Sequence, residues 1–434
     1  MASPVIRTRK ELIAYLSVAC ELEQGLCLQY LFTAFSLKDD LSEGGLNSVE
    51  QLTAVRRWKA NLFLVGAQEM LHLTQAANLM ASAGGFVQLR RPNFPQAPDY
   101  YPTKLPWNLD PFSPAVIQRY ACYERPATGP IRMKFDGEPV LPVCNCLVKE
   151  AEAPPEHSPF AHLPESLRGE RPARARRAQT IGELYEAIEA AFLVLPDVII
   201  GDPDAQIDGH TVDFPQVNKV NSREDAKQGI DLIVRQGEGG HGDRPDSHFG
   251  VFIDIYNQYA ALKRADPDFN PVRPVCPNPL SRLHVDNTYP GWRLIVDPYT
   301  KNVNRLCSSI YETMLLMLYR FFATPSLSPA QQKKLSAAFL RVMTTVIKPM
   351  GEAITKLPMG GSTPGTAGPS FELDPDTQLL PQTVAAWRYI HERLLDDADR
   401  AAEFSRKPGA PAELKAAALS LRGIAASLGP LPPN

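Results

Sequence analysis

Two long helical stretches near the N-terminus dominate the pattern of this 434-residue sequence. From Arg9 to Lys38, apolar residues recur with the spacing of a helix that buries one face. A second stretch begins after Ser48, a good N-cap residue, and continues to Ala83, where two glycines follow. Helices of this length and amphipathicity must bury their apolar faces against other helices, so the pattern predicts an all-α fold.

The rest of the chain predicts further helices, separated by proline and glycine. One begins after Thr180, another begins at Ser222, and a third follows Asp246. Four more are predicted in the C-terminal third, at Val303–Ala323, Ala330–Leu357 and Val384–Ser405 and after Pro411. These C-terminal helices exceed what a simple bundle needs, so we expect them to pack on it as additional elements.

Three segments do not have a helical pattern, and many of the 41 prolines cluster in such regions. Arg91–Pro114 is rich in proline and aromatic residues, which predicts an ordered segment that covers the bundle. Pro126–Val148 is strand-like, with a hairpin predicted at Asp136–Gly137. Ala151–Arg177 is rich in arginine and proline and is interpreted as a solvated loop.

Composition excludes several classes of function. The 45 basic and 48 acidic residues give a net charge of -3, so there is no general electrostatic reason to expect a nucleic-acid partner. No apolar run approaches the roughly 20 residues that span a membrane, and the N-terminus lacks the apolar core of a secretory signal. The seven cysteines do not suggest a disulfide scaffold. We therefore expect a soluble, cytoplasmic protein.

The candidate functional residues include acidic residues that lie on apolar helical faces. At about 100° per residue, Glu23 falls at the centre of the apolar stripe of the first helix, and Glu69 at that of the second. His72 follows one turn after Glu69. A buried carboxylate is costly unless it is paired, so these glutamates are either neutralised by structural partners or bind a metal.

The spacing of these residues favours a metal site. Glu69 and His72 form a Glu-x-x-His motif, which places both side chains on one face, and two-metal bundles combine two such motifs with single glutamates from other helices. Carboxylate and imidazole ligands suit iron or manganese and leave positions open for dioxygen chemistry. The motif together with Glu23 on the preceding helix is more specific than the motif alone.

The second half of the sequence must supply the remaining ligands, and alternatives stay open there. Glu238 and His241 form a second Glu-x-x-His sequence, but its two glycines disfavour a helix. We prefer Glu238 with His248, which lies on the next apolar stripe, and keep His241 as the alternative. For the last carboxylate we rank Glu124 ahead of Glu189.

Several motifs resemble the ferritin-like domain of the iminophenyl-pyruvate dimer synthase type. The resemblance extends over about residues 10–375 and is carried by Leu22–Leu37, Gln68–Leu79, Phe94–Pro95, Tyr123–Pro126, Thr180–Tyr185, Gln236–Gly239, Ser247–Phe249 and Thr366–Glu372. Such domains occur in enzymes that couple two indolepyruvate-imine units on the way to violacein and rebeccamycin, and in stand-alone proteins.

The resemblance implies a ferritin-like four-helix bundle with a dinuclear metal centre. It supports a common set of ligands, namely Glu23, Glu69, His72, Glu238 and His248. The predicted bundle occupies residues 1–300, with long insertions at 91–179, 200–220 and 265–300. Residues 301–434 form the additional helices packed on it.

Together these features predict a metal-dependent oxidative enzyme of secondary metabolism. The cofactor would be two iron ions, with manganese as the alternative, and the partners a small aromatic or amino-acid-derived substrate and dioxygen. Glu69 and Tyr30 are the catalytic candidates, Tyr30 as a hydrogen-bond partner beyond the ligands. The aromatic segment Arg91–Pro114 would enclose the substrate pocket. A ferroxidase, a metal-free scaffold and a homodimer remain open.

Overall fold

The computed structural model describes residues 5–96, 98, 101, 103–152, 178, 180–237, 242–283, 291–323, 327–375, 377 and 379–429. Helices make up most of this part of the chain, which confirms the predicted all-α class. They are α1 Arg9–Ser36, α2 Val49–Ser82, α3 Pro114–Tyr123, α4 Val140–Glu152, α5 Ile181–Val194, α6 Arg223–Gly237, α7 His248–Ala265, α8 Pro298–Arg320, α9 Pro329–Val342, α10 Lys348–Ile354, α11 Thr383–Phe404 and α12 Ala412–Leu428.

The two N-terminal helices begin and end as their sequences predict. The hydroxyl of Thr8 accepts a hydrogen bond from the Glu11 amide at 3.2 Å, and that of Ser48 does the same for the Gln51 amide. These caps satisfy amide groups that have no partner within the helix. Gly84, with a φ of 78°, follows the end of α2 in the left-handed region. Helices α1 and α2 pack along each other.

Shorter helices complete the bundle around one face of α1 and α2. Helix α3 packs on α7, and α5 packs on α6. Both pairs reach the long helices, since α7 and α6 contact α2 and α5 contacts α1. The bundle therefore combines two long helices with two pairs of shorter ones. Within the part of the chain that the structure describes, no helix is both long and apolar enough to span a membrane.

The aromatic segment Arg91–Pro114 is ordered and buried where the structure describes it. Phe94, Trp107 and Phe112 are each less than 5% exposed. The Trp107 ring stacks on Tyr123 of α3 at 5.0 Å, and the hydroxyl of Tyr123 donates a hydrogen bond to a carbonyl of the segment. The segment thus packs as a cover on the bundle, as predicted.

The strand-like segment Pro126–Val148 is only partly as predicted. The hairpin is present, with β1 Lys134–Phe135 antiparallel to β2 Glu138–Pro139. The rest was wrongly predicted as strand, because residues 126–133 are irregular and the part from Val140 onward forms helix α4. Its valines favour a strand locally, but Val140 and Cys144 recur at helical spacing and are buried, so tertiary packing overrides that preference.

A disulfide between Cys122 and Cys144 joins α3 to α4 and was not predicted from the sequence. The two residues are 22 positions apart. Their proximity depends on α4 being a helix packed beside α3, so the wrong prediction of a strand concealed the pair.

The predicted helix Ala330–Leu357 is interrupted in the structure. Helix α9 passes into a π-helix at Met343–Ile347, and α10 follows. Pro349 explains the change, because it has no amide N–H to donate to the carbonyl four residues earlier. Most of the predicted loop Ala151–Arg177 lies outside the described residues.

The C-terminal helices pack against one another and against the bundle. Helix α11 contacts α8 and α12, and α10 contacts α1. At the last contact, a Cβ atom on Gly351 would lie 2.6 Å from the Phe35 ring, so only glycine permits this approach. A domain boundary between residues 300 and 301 stays a prediction.

The other two strands, β3 Pro279–Leu280 and β4 Arg293–Leu294, are a short parallel pair.

Candidate metal centre

Acidic and imidazole side chains from several helices meet inside the bundle. Helix α1 contributes Glu23, and α2 contributes Glu69 and His72. Glu124 directly follows α3 as its C-cap, and His248 is the first residue of α7. Each of these five residues is at most 2% exposed.

Glu69 lies at the centre of this cluster. Its Oε1 atom is 2.8 Å from Nδ1 of His248, and its Oε2 atom is 3.1 Å from Nδ1 of His72. One carboxylate thus contacts two imidazoles from different helices.

The other two carboxylates lie on opposite sides of Glu69. Glu23 Oε2 is 3.8 Å from Nδ1 of His72, and Glu124 Oε1 is 3.8 Å from Nδ1 of His248. The cluster is therefore nearly symmetric, with one histidine and one outer glutamate on each side of the shared carboxylate.

Hydrogen bonds from neighbouring residues orient the histidines. Nε2 of His72 is 3.0 Å from the Gln236 side-chain oxygen, and Nε2 of His248 is 3.0 Å from that of Gln68. A proton on each Nε2 atom satisfies these contacts, while each Nδ1 atom faces the carboxylates, where a bound metal ion would replace its proton.

Two tyrosines hold the outer carboxylates. The Tyr30 hydroxyl donates a hydrogen bond to Glu124 at 2.6 Å. The Tyr185 hydroxyl of α5 donates a short hydrogen bond to Glu23. Sequence analysis placed Tyr30 near the site, but it missed Tyr185, Gln68 and Gln236. The position of Tyr185 on the apolar face of α5 was the available signal.

The electrostatics of the cluster show strong coupling. Burial lowers the pKa of an imidazole, but Glu69 and Glu23 more than offset this effect and raise the pKa of His72 to about 10. Glu69 and Glu124 likewise raise the pKa of His248 to about 9. Burial raises the pKa of Glu69, yet His248 and His72 hold it well below its ordinary value.

The two outer carboxylates, Glu23 and Glu124, have a raised pKa, in contrast to Glu69. Burial raises the pKa of Glu23 to about 8, and it also raises the pKa of Glu124. The four groups with a raised pKa are His72, His248, Glu23 and Glu124. Protons on these groups therefore compete with any cation for the site.

The cluster has the features of a cation site. Ligand atoms of Glu69, His72 and His248 all lie within 4.8 Å of one another. Oε1 of Glu69 and Nδ1 of His248 are buried and have no hydrogen-bond partner, although they are 2.8 Å apart. Once Nδ1 of His248 loses its proton, these two atoms are both electron-pair donors, and such a pair suits a shared metal ion.

The space within the cluster is small. The cavity has a volume of about 10 Å³ and is lined by Glu23, Glu69, His72 and Glu124 together with apolar residues of α1, α5 and α6. This is about the room that one water molecule needs. The described residues of Arg91–Pro114 do not line this cavity, so the enclosure of a substrate pocket by this segment stays a prediction. The described part of the segment packs on Tyr123.

Three candidate ligands from the sequence are not part of the cluster that the structure describes. Glu189 lies on the outer side of α5, where its Oε1 atom is 3.8 Å from the Lys227 ammonium. The structure therefore brings Glu124, and not Glu189, to the cluster. Glu238 and His241 lie outside the described residues.

Comparison with known proteins reveals relatives that are named as enzymes. The 2-imino-3-(indol-3-yl)propanoate dimerase of Chromobacterium violaceum is 25% identical over 421 residues, which cover 91% of this chain and 37% of the relative. Dichlorochromopyrrolate synthase of Lentzea aerocolonigenes is 26% identical over 426 residues, with 89% of this chain and 38% of the relative covered. The chain thus spans less than two fifths of the length of either.

A solved ferritin-like protein from Caulobacter vibrioides aligns with 81% of this chain and 96% of its own, at 16% identity and a TM-score of 0.44. At this score the structural similarity adds nothing to the assignment. The family model of ferritin-like proteins matches residues 16–257, which include all five residues of the cluster and more than half of the chain. The chain therefore belongs to the ferritin-like family.

Proposed function

We propose that the protein is a metal-dependent oxidative enzyme of secondary metabolism that uses a pair of iron ions, with manganese as the alternative. The observation that carries this proposal is the buried Glu69 carboxylate, which contacts the Nδ1 atoms of both His72 and His248. Such an arrangement is costly as a purely structural feature, but it suits a carboxylate shared by two cations.

Each residue of the cluster has a distinct role in this proposal. Glu69 would bind both ions, with Glu23 and His72 on one side and Glu124 and His248 on the other. Bound iron would supply activation of dioxygen or polarisation of a substrate heteroatom. If Glu238 also binds, it would complete this set.

The surrounding residues position the ligands and exclude water. Gln236 and Gln68 accept from the histidine Nε2 atoms and fix the tautomer in which Nδ1 is free. Tyr30 and Tyr185 hold protons that they donate to Glu124 and Glu23. Apolar side chains such as Ile233 line the cavity and lower its polarity, which strengthens every charge interaction within it.

The relatives suggest the substrate class. One is named as a dimerase of 2-imino-3-(indol-3-yl)propanoate and the other as a synthase of dichlorochromopyrrolate. A small aromatic or amino-acid-derived molecule is therefore the proposed substrate, and oxidation or imine coupling the proposed reaction. Dioxygen as a co-substrate, a homodimer and a cytoplasmic location remain predictions.

Oxygen uptake by the iron-loaded protein tests this function. We expect uptake to depend on an imino acid derived from an aromatic amino acid. Replacing Glu69 with Gln should lower the rate at least about tenfold, because it removes a charged ligand. Glu224→Gln is the control, since Glu224 is exposed on α6. Equal rates for both variants would contradict the proposal.

A ferroxidase is the second candidate, and the size of the cavity favours it. A volume of about 10 Å³ admits an ion but no organic molecule in this conformation. A ferroxidase would consume dioxygen with ferrous iron alone, and an added imino acid would not change the rate. The same oxygen-uptake experiment therefore separates the two functions.

A further inference from the structure

A second cavity lies between the bundle and the C-terminal helices. Its volume is about 230 Å³, and its walls come from α1, α2, α8 and the segment that joins α9 to α10. Most of its lining is apolar and includes Leu31, Phe63, Met70 and Met314. For comparison, an apolar cavity of about 150 Å³ binds benzene. This cavity is therefore large enough for a molecule with two fused rings.

The cavity is separate from the candidate metal centre. Gln24 and Met70 line the cavity, whereas their chain neighbours Glu23 and Glu69 point into the metal centre. Successive residues of a helix point about 100° apart. The same two helices thus present one face to each site, and the two sites do not share a lining residue.

One polar atom in the wall of the cavity has no partner. Gln24 is 2% exposed, and its Nε2 atom donates a hydrogen bond to the Tyr311 hydroxyl at 2.6 Å. Its Oε1 atom is buried without a hydrogen-bond partner. An unsatisfied buried acceptor is costly, so a ligand that donates a hydrogen bond there would recover this cost.

A cation stands at the mouth of the cavity. Lys348 is exposed, and its ammonium lies 4.3 Å from the centre of the Phe63 ring. Among the described residues it has no acidic partner within salt-bridge distance. Ala67 and Thr344 are also exposed lining residues, so Lys348 is placed to meet an anionic group at the entrance.

The π-helix Met343–Ile347 forms part of the wall. Met343, Thr344 and Ile347 line the cavity, and the Thr344 hydroxyl donates back to the Leu340 carbonyl at 2.8 Å. Single π-helical turns within α-helices are frequent at functional sites. A wide turn at this place supports a binding role for the cavity.

We propose that this cavity binds a flat bicyclic aromatic acid that also carries a hydroxyl or N–H donor. The rings would occupy the apolar space, the donor would bind Oε1 of Gln24, and the carboxylate would meet Lys348. This site is independent of the metal centre, so it can be tested whether or not the oxidative function is correct.

Binding of hydroxynaphthoate, measured by calorimetry, tests the proposal. We expect saturable binding that weakens about fivefold when methoxynaphthoate replaces it, because the ether cannot donate to Gln24. In Gln24→Met the two compounds should bind equally, since the acceptor is absent. The same penalty in both proteins, or no saturable binding of hydroxynaphthoate, would overturn the proposal.

The contribution of the Lys348 ammonium to binding is tested separately. Lys348→Gln should weaken hydroxynaphthoate binding about two- to fivefold and leave binding of uncharged naphthol unchanged. Lys356→Gln is the matched control, since Lys356 is exposed but does not line the cavity.

The location of the ligand completes the test. A crystal structure with hydroxynaphthoate should show the rings beside Phe63, and Glu69→Gln should bind it as the unaltered protein does. Density at the metal centre instead, or a second copy of the chain that covers the cavity, would overturn the proposal.

Discussion

At the scale of single residues, the shared carboxylate of Glu69 decides how the site is interpreted. A structural glutamate would be neutralised by one arginine or bound by hydroxyl groups. Glu69 instead contacts two imidazoles, and one of its oxygens has no hydrogen-bond partner. Two imidazoles, one from α2 and one from α7, that contact the same buried carboxylate favour a metal over a structural ion pair.

Glu124 provides a test of the proposed ligand set. Its replacement by Gln should reduce the iron content from about two ions per chain to about one, because it serves only the His248 side of the cluster. Glu189→Gln is the matched control and should retain both ions, since Glu189 lies beside Lys227. Elemental analysis of the purified variants measures the difference. Loss of iron from the Glu189 variant alone would contradict the ligand set.

Tyr185 is the residue that sequence analysis missed and that permits a second prediction. Tyr185→Phe removes the hydrogen bond to Glu23, so metal affinity should fall about 10- to 100-fold. Competition with a chelator measures the affinity. Tyr256→Phe is the control, because Tyr256 packs on Phe135 and does not contact the cluster. An unchanged affinity in Tyr185→Phe would show that this hydrogen bond has no role in binding.

The residue scale also shows what sequence could predict. The positions of Glu23, Glu69 and His72 follow from helical periodicity, because each lies on the apolar face of a long helix. Glu124 and His248 lie at helix ends, where periodicity says little, so alternatives such as Glu189 stayed open. Gln68 and Gln236 orient histidines on other helices, and such contacts cannot be read from a single helix.

At the scale of elements, most helices were predictable, including the 14-residue α5, but the short helices α3 and α4 were not. Helices α1 and α2 have strong caps and more than seven turns each, so their local signals agree. Helix α4 was missed because its valines favour a strand and its burial depends on α3. The same packing creates the disulfide between Cys122 and Cys144, which no local signal indicates.

Helix α11 carries a buried acid whose ionisation should affect stability. Asp397 is 2% exposed, and burial raises its pKa to about 6, although Ser309 and the Arg393 charge act to lower it. The folded protein thus binds this proton more tightly than the unfolded chain, whose carboxyl has an ordinary pKa of about 4. Stability from this group is present below about pH 4 and is lost as the pH rises to about 6.

Asp397→Asn tests this pH dependence. The variant should match the unaltered protein below about pH 4 and exceed its free energy of unfolding by about 3 kcal/mol well above pH 6. Urea denaturation across this range measures the difference. Asp399→Asn is the control, because Asp399 is exposed beside Arg422. A difference independent of pH would contradict the raised pKa.

At the scale of the whole molecule, the family and the fold class were accessible from sequence. The metal-centre helices and the match over residues 16–257 agree on a ferritin-like bundle. The cover segment could be predicted as ordered from its aromatic residues, but its position over Tyr123 could not. That position depends on contacts such as Trp107 with α3, which are distant in sequence.

The central claim is that the buried carboxylates and histidines hold two metal ions. Anomalous diffraction at the iron edge, recorded from crystals of the iron-loaded protein, tests it most directly. We predict two peaks, one among Glu23, Glu69 and His72 and one among Glu69, Glu124 and His248. A well-refined structure without an anomalous peak at these five residues would contradict the claim, and with it the proposed oxidative function.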